Sequence, residues 1–236
     1  MATVLKNEKL KQGFFLLKVR EESRARMGQF YMVRAWDRYP VLSRPISVFD
    51  TDGETVSFLC RAVGLGTRML AALREGDEIA LTGPCGNGYP AERGKIALVG
   101  GGTGVAPLYL AARTLKKGPD NRADLFLGFS GEEVLRRAFE AAGDSLTVKI
   151  GGFITDSVRP ADYDAVFCCG PEAMMRALWR KCRAENPAAR VYVSLEERMA
   201  CGVGACMGCT VRTASGNRRV CRDGPVFRAQ EVFFDE

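Results

Sequence analysis

Ile96–Ala112, IALVGGGTGVAPLYLAA, is the longest uncharged run in the chain. Gly100, Gly101, Gly102, Gly104 and Pro107 interrupt it, so it reads as a strand, a glycine turn and a helix start rather than as a membrane span. Ile96–Val99 is the expected strand and Val105–Leu115 the expected helix. The rhythm then repeats: strand Leu125–Phe129 and helix Glu132–Ala142, strand Thr147–Ile150, strand Ala165–Cys169 and helix Glu172–Ala184, strand Val191–Leu195. Strands alternating with helices at this pitch predict a doubly wound parallel sheet. Upstream, short β-branched and aromatic runs at Gly13–Arg20, Phe30–Ala35, Ile46–Asp50, Val56–Ala62 and Glu78–Leu81 predict a small antiparallel β-barrel. One helix interrupts it, Thr67–Arg74, with Met69, Leu70 and Leu73 on one face and Gly76 as its stop. Downstream of Leu195 the periodicity gives way to a Cys- and Gly-rich segment. The expected fold class is multidomain β and α/β, divided into a barrel over residues 1–90, an α/β domain over 91–195 and a small metal-like module over 196–236.

Composition narrows the chemistry. The 236 residues contain no His, which removes Ser-His-Asp and Cys-His nucleophilic catalysis, His-ligated zinc and Rieske-type centres. Nine Cys behind an N-terminus without a secretory apolar core point to the reduced cytoplasm and to metal or redox use, not to a disulfide framework. The net charge is +6, and Arg176–Arg228 carries eleven Lys/Arg against four Asp/Glu, which accounts for all of it. That surplus reads either as a docking or anion-surrounding face or as an ordinary solvated helix face at Arg176, Arg180 and Arg183. No aromatic stacking pattern is interleaved with the charges as a nucleic-acid surface would require.

The most specific spacing is Cys201-x4-Cys206-x2-Cys209-x11-Cys221, the plant-type pattern in which four thiolates hold a [2Fe–2S] cluster. Gly202, Gly204, Ala205 and Gly208 are small enough for the loop to wrap closely and aim backbone N–H groups at sulfur. A zinc site with four thiolate ligands is the alternative, although zinc usually takes two close pairs whereas three ligands here share one tight loop. Gly100-Gly101-Gly102-Thr103-Gly104 follows a strand and opens a helix, where free N–H groups and the dipole favour phosphate. It does not complete G-x-G-x-x-G, so it is either a different nucleotide turn or a turn without a ligand. Cys169-Gly170-Pro171 repeats the logic at a later strand end. Arg44-Pro45-Ile46-Ser47 offers groups for a phosphate or a flavin edge, or is merely a strand start. Gly64-x-Gly66-Thr67 is a second candidate cradle, and the turn-rich Gly83–Pro90 reads as a linker.

With these motifs in this order, the chain resembles the electron-transfer subunits of NAD-dependent dihydroorotate dehydrogenases, members of the ferredoxin–NADP reductase clan. The likeness spans essentially the whole chain. It is carried by EERMACGVGACMGC (Glu196–Cys209), RVCRDGPVF (Arg219–Phe227), RPIS (Arg44–Ser47), LCRAVGLGT (Leu59–Thr67), GPCGNGYP, LVGGGTGVAPL and CGP. The resemblance implies a barrel that binds FAD through Arg44, Pro45, Ile46, Ser47, Leu59, Cys60, Arg61, Gly66 and Thr67. Cys60 departs from the family's pattern, which has an aromatic residue there, so a contact at that point would run through the backbone. It also implies an α/β domain that binds NAD through Gly100–Gly104 and Cys169, Gly170 and Pro171, with Cys169 near the nicotinamide.

The implied electron path starts at a separate catalytic subunit with FMN, which oxidises dihydroorotate and supplies the base. From there it runs through the [2Fe–2S] centre and FAD to NAD⁺. Two copies of each chain, a place in pyrimidine biosynthesis, and neither nucleic acid nor membrane as partner complete that picture. Glu132 and Glu133 would repel a 2′-phosphate and favour NAD, or are simply first-turn helix acids. Cys168, Cys85 and Cys182 are assigned to structure. Two alternatives stay open: a related NAD(P)H-linked reductase subunit serving a ferredoxin- or hydrogenase-linked complex, and a non-redox zinc module.

Overall fold

The structure, a computed structural model, describes residues 1–235. Seven antiparallel strands form the N-terminal sheet: β1 (Ala2–Lys9), β2 (Phe14–Arg20), β3 (Phe30–Arg34), β4 (Arg44–Ser47), β5 (Asp50–Thr51), β6 (Thr55–Arg61) and β7 (Glu78–Cys85), in the order β4-β3-β7-β1-β2-β6-β5. The sheet curls into a barrel whose hydrogen-bonded order ends at β4 and β5, and β4 packs close to β6 across that open edge. Helix α1 (Leu65–Ala72) lies two residues earlier than expected and drives Leu70 into the core. The run expected over Ile46–Asp50 is two strands, because Val48 and Phe49 turn inward between them and are buried. Strand β1 had no place in the sequence reading. Its Lys, Asn and Glu residues mask an alternation in which only Ala2 and Val4 are fully buried.

The second sheet holds β8 (Lys95–Gly101), β9 (Arg122–Phe129), β10 (Ser145–Ile150), β11 (Ala165–Cys169) and β12 (Arg190–Ser194), all parallel, in the order β10-β9-β8-β11-β12. Helices α2 (Ala106–Leu115) and α3 (Arg136–Ala142) cover one face, where Leu108 and Phe139 join the barrel's core in one continuous cluster. Helix α4 (Glu172–Glu185) covers the other with Met175, Leu178 and Cys182. Burial on both faces explains why β8 and β11 read as unbroken apolar runs. Helix α3 starts four residues later than the expected Glu132. Leu135 takes a left-handed conformation (φ +55°), while the preceding residues are held by the barrel: Glu132 pairs with Lys11 at 2.5 Å and Gly131 abuts Gln12.

Residues 196–235 pack onto both preceding units. A two-stranded hairpin, β13 (Thr210–Thr213) and β14 (Gly216–Arg219), and the short helix α5 (Val220–Asp223) carry the cysteine segment. The chain then returns as β15 (Val226–Arg228), antiparallel to β12, and α6 (Ala229–Val232), so that Ala229 and Phe233 complete the core under α4. Gly83–Pro90, read as a linker, rivets three parts together. Asn87 Nδ2 donates to the Val226 and Asp223 carbonyls, Gln29 donates to the Gly86 carbonyl, and the Tyr89 hydroxyl donates to the Cys168 carbonyl at 3.1 Å. No helix among the described residues is long and apolar enough to cross a membrane.

Barrel and α/β domain meet over an aromatic contact flanked by an ion pair. Phe49 stacks on Tyr109 with centroids 4.2 Å apart and meets Phe139 edge-on, and both Asp50 carboxylate oxygens accept from Arg113. Phe49→Ala is therefore expected to cost about 3–5 kcal/mol of stability in urea unfolding, the range for emptying a buried aromatic site. A loss below about 1 kcal/mol would mean the two units are not energetically joined there.

Candidate functional site

The strand order of the parallel sheet reverses between β8 and β11, the switch point at which open α/β sheets bind ligands. The two turns that leave those strands are packed backbone on backbone. A Cβ on Gly104 would fall 2.6 Å from the Gly170 nitrogen and closer still to the Cys169 carbonyl. One on Gly170 would lie 3.0 Å from the Gly101 nitrogen and oxygen. Gly100 is closed off by Leu108 and Val105, and Gly101 by Met174 and Pro171. These glycines thus permit a close approach rather than line a surface. From the turn itself, Thr103 and Ala106 reach the space above the sheet.

That space is a cleft of about 520 Å³ between the two domains. Its barrel wall is Phe30, Pro45, Ile46 and Ser47 with Leu59, Cys60, Arg61, Val63 and Thr67, and its far wall is Cys169 and Ser194–Met199. Most of the barrel residues singled out in the sequence therefore converge with Cys169 and Thr103 on one opening. Arg44 and Gly66 flank it side by side: a Cβ on Gly66 would lie 2.7 Å from the Arg44 Nε, and Arg44 sits over the Trp36 ring. The Thr67 hydroxyl accepts from the Val63 and Gly64 N–H groups at the start of α1. The segment Ser194–Arg198 was not singled out as cleft wall; its position depends on β12 leaving the sheet beside β11. Glu196 has an exposed surface yet is ringed by cleft walls, and desolvation raises its pKa. Cys169 is 2% exposed, and burial, aided by Glu196 and Cys168, holds its thiol far above the usual range and so uncharged. A larger cavity, about 620 Å³ between Arg26, Tyr192 and Arg228, contains none of the predicted site residues.

The acids proposed to select the nucleotide form ion pairs here, Glu132 with Lys11 on the surface and Glu133 with Arg136 at 2.6 Å. Both precede α3, so the alternative reading of them as first-turn helix acids is corrected. The basic segment is largely structural. Arg176 pairs with Glu172 and covers the Phe233 ring, Arg219 pairs with Asp223, and Arg228 covers Tyr192.

At the cysteine loop the four sulfurs form two pairs. The Cys206 N–H donates to Cys201 Sγ at 3.5 Å, and the Cys221 N–H donates to Cys209 Sγ at 3.4 Å, with Gly204 N–H reaching Cys221 Sγ at 3.1 Å. Backbone N–H groups of Cys206, Val203 and Ala205 hold the Cys201 thiol down at about 6, whereas burial beside Cys209 pushes Cys221 up to about 12. No three His, Cys, Asp or Glu side chains among the described residues converge as one ion would require. Four thiols with backbone N–H donors aimed at sulfur are a donor set that would suit a [2Fe–2S] cluster, which such N–H groups stabilise. Gly202 (φ +71°) and Gly204 (φ +83°) give the loop its path, pressed against Met32 and Arg222 respectively.

Residues 196–233 match the family described as the iron–sulfur cluster binding domain of dihydroorotate dehydrogenase B. The electron-transfer subunit of dihydroorotate dehydrogenase B (NAD⁺) from Clostridium acetobutylicum is 42% identical over 242 residues, covering 99% of this chain and 96% of the relative. Its counterpart from Clostridium perfringens is 40% identical, covering 98% and 96%. Among solved structures, a chain of an NADH-dependent reduced ferredoxin–NADP oxidoreductase, studied for flavin-based electron bifurcation, superposes with a TM-score of 0.88 at 29% identity, over 100% of this chain and 90% of that one. The ferredoxin reductase of carbazole 1,9a-dioxygenase shares the fold at 20% identity, with a TM-score of 0.64 over 80% of this chain and 65% of that one.

Gly202→Ala is expected to reduce bound iron and sulfide well below wild type, since the added methyl meets Met32 in a left-handed backbone. Gly216→Ala, also left-handed (φ +97°) but in open space, should cost only about 1–2 kcal/mol and keep its iron. The chain belongs to the family of electron-transfer subunits of NAD-dependent dihydroorotate dehydrogenase B.

Proposed function

We propose that this chain carries electrons from the FMN of a dihydroorotate-oxidising catalytic subunit, through its own [2Fe–2S] and FAD sites, to NAD⁺ in pyrimidine biosynthesis. The observation that carries this reading is that one segment builds both sites: Ser194–Met199 lines the interdomain cleft and runs directly into Cys201. In this reading Cys201, Cys206, Cys209 and Cys221 hold the cluster. Arg44, Pro45, Ile46 and Ser47, with Leu59, Cys60, Arg61, Gly66 and Thr67, hold FAD. Gly100–Gly104 and Cys169–Pro171 receive the nicotinamide nucleotide. Bound flavin supplies the exchange between one-electron and two-electron transfer.

The protein's own part is orientation and electrostatics. The uncharged Cys169 thiol offers a polarizable, unreactive floor to the cleft. The backbone contact of the Gly101–Gly104 turn with Gly170 leaves the cleft as the open face of the switch point. Hydride transfer asks for no imidazole base, in keeping with a chain that has none. Cys206 is exposed, and Val203 and Met207 beside it are 55% and 54% exposed, which makes this tip the favoured docking point for the catalytic subunit, in an assembly with two copies of each chain. Four cluster cysteines and five further cysteines in one chain suit the reduced cytoplasm.

A second reading is a reductase subunit of another complex, favoured by the full-length superposition on the NADH-dependent ferredoxin–NADP oxidoreductase chain. Reconstitution separates the two. Adding the chain to a dihydroorotate-oxidising flavoprotein should produce dihydroorotate-dependent NAD⁺ reduction. Failure to bind that flavoprotein, with ferredoxin-dependent turnover instead, would select the second reading. Cys206→Ser is expected to abolish coupling between the subunits while FAD stays bound, whereas Arg44→Ala should lower FAD retention, measured as flavin released on gel filtration. Full coupling in Cys206→Ser would contradict the cluster assignment.

A further inference from the structure

The cleft and the cysteine loop share a wall. Phe30 lines the cleft and also belongs, with Met32, Cys85, Met199, Cys209 and Cys221, to one buried apolar cluster against which Cys201 packs. Met199 likewise faces both sides. Phe30 is 3% exposed and Met199 6%. Cys85 stands opposite Phe30 in the β3–β7 ladder, and its sulfur lies 3.7 Å from where a Cβ would sit on Gly202, the neighbour of Cys201. Two side chains, Phe30 and Cys85, therefore span from the cleft to the loop that bears the first ligand. The charged groups nearby flank this cluster instead of bridging it: Glu196, Glu197 and Arg198 line the cleft, and Arg219 and Arg222 lie against Gly204 in the cysteine loop.

We propose that Phe30, Cys85 and Met199 form a dry partition that sets the electronic coupling between the flavin cleft and the iron–sulfur site and keeps cleft water off the cluster sulfurs. The inference rests on the cofactor assignments proposed above. Coupling between redox centres falls steeply with their separation and across voids, so a wall in which the same side chains, Phe30 and Met199, face both the cleft and the cysteine cluster favours transfer while it stays filled. An apolar wall also has no dipoles to reorient as charge passes, and it shields the cluster from solvent, which with hydrogen bonding to sulfur tunes its potential. Each passage oxidises one Fe²⁺ to Fe³⁺ and adds one electron on the cleft side. Two passages, one solvent proton and NAD⁺ give NADH, the electrons coming from dihydroorotate oxidised on the partner.

The test uses the full-length protein loaded with flavin and iron, with Phe30→Ala and Cys85→Ser as the disrupting changes and Phe30→Leu as the conservative one. Flavin and iron content are measured first. Wild-type protein lacking either overturns the assignments themselves, independently of the partition. Two readouts follow: the rate of cluster reduction relative to flavin reduction after mixing with NADH, and the rate of iron release to a chelator in the absence of nucleotide. Phe30→Ala should slow cluster reduction severalfold relative to flavin reduction and speed iron release severalfold, and Phe30→Leu should restore both towards wild type. Cys85→Ser does not reach the cleft, and it decides the matter if Phe30→Ala sheds its flavin. Faster iron release with a shifted cluster reduction potential supports the partition. Loaded Cys85→Ser protein with wild-type release and potential overturns it.

Discussion

Everything in this molecule is arranged around the contact between two strand-end turns. The chain after β8 and the chain after β11 come so close that Gly104 and Gly170 leave no room for a side chain. That approach occurs where the sheet order reverses, so it opens a crevice instead of continuing the layer of helices. The barrel closes the crevice from the other side with β3, β4 and β6, and the joint is held by the Phe49–Tyr109–Phe139 aromatic group and the Asp50–Arg113 pair. The cleft is thus a property of two domains whose cores merge into one.

The cysteine segment is held to this frame as firmly as the domains are held to each other. Asn87 fastens the end of the barrel to Val226 and Asp223, and β15 joins the parallel sheet as its last strand. A loop that wraps four thiols has little core of its own, and here it borrows one from Phe30, Met32 and Phe227. For a protein whose task is to pass electrons between centres, this rigidity substitutes for catalytic side chains: separation and dryness are the variables that matter.

The legibility of these features in the sequence follows the range of the interactions behind them. Cysteine spacing and the glycine run are local; the structure sets Cys201 beside Cys206 and Cys209 beside Cys221, and it puts the glycine turn at the end of β8. The parallel strands were readable because burial on both faces leaves an uninterrupted apolar run. Strand β1 was missed because its exposed face is charged and its pairing partner β2 supplies most of the buried side chains. The start of α3 was misread because Glu132 answers to Lys11, more than a hundred residues away, and not to helix propensity. Gly83–Pro90 looked like a linker for the same reason, since the partners of Asn87 and Tyr89 lie far along the chain.

The sequence by itself determined the kinds of chemistry available: four cysteines at cluster spacing, glycine turns after strands, and no imidazole to move protons. Those choices are written in residue types and short spacings, which survive without knowledge of the fold. Only the tertiary structure decided that Ser194–Met199 is cleft wall as well as the lead-in to Cys201, that Glu132 and Glu133 pair with Lys11 and Arg136, and that Phe30 and Cys85 stand between the cleft and the cysteine loop. Each of these depends on strands brought side by side from distant parts of the chain, where packing rather than propensity sets which side chain meets which.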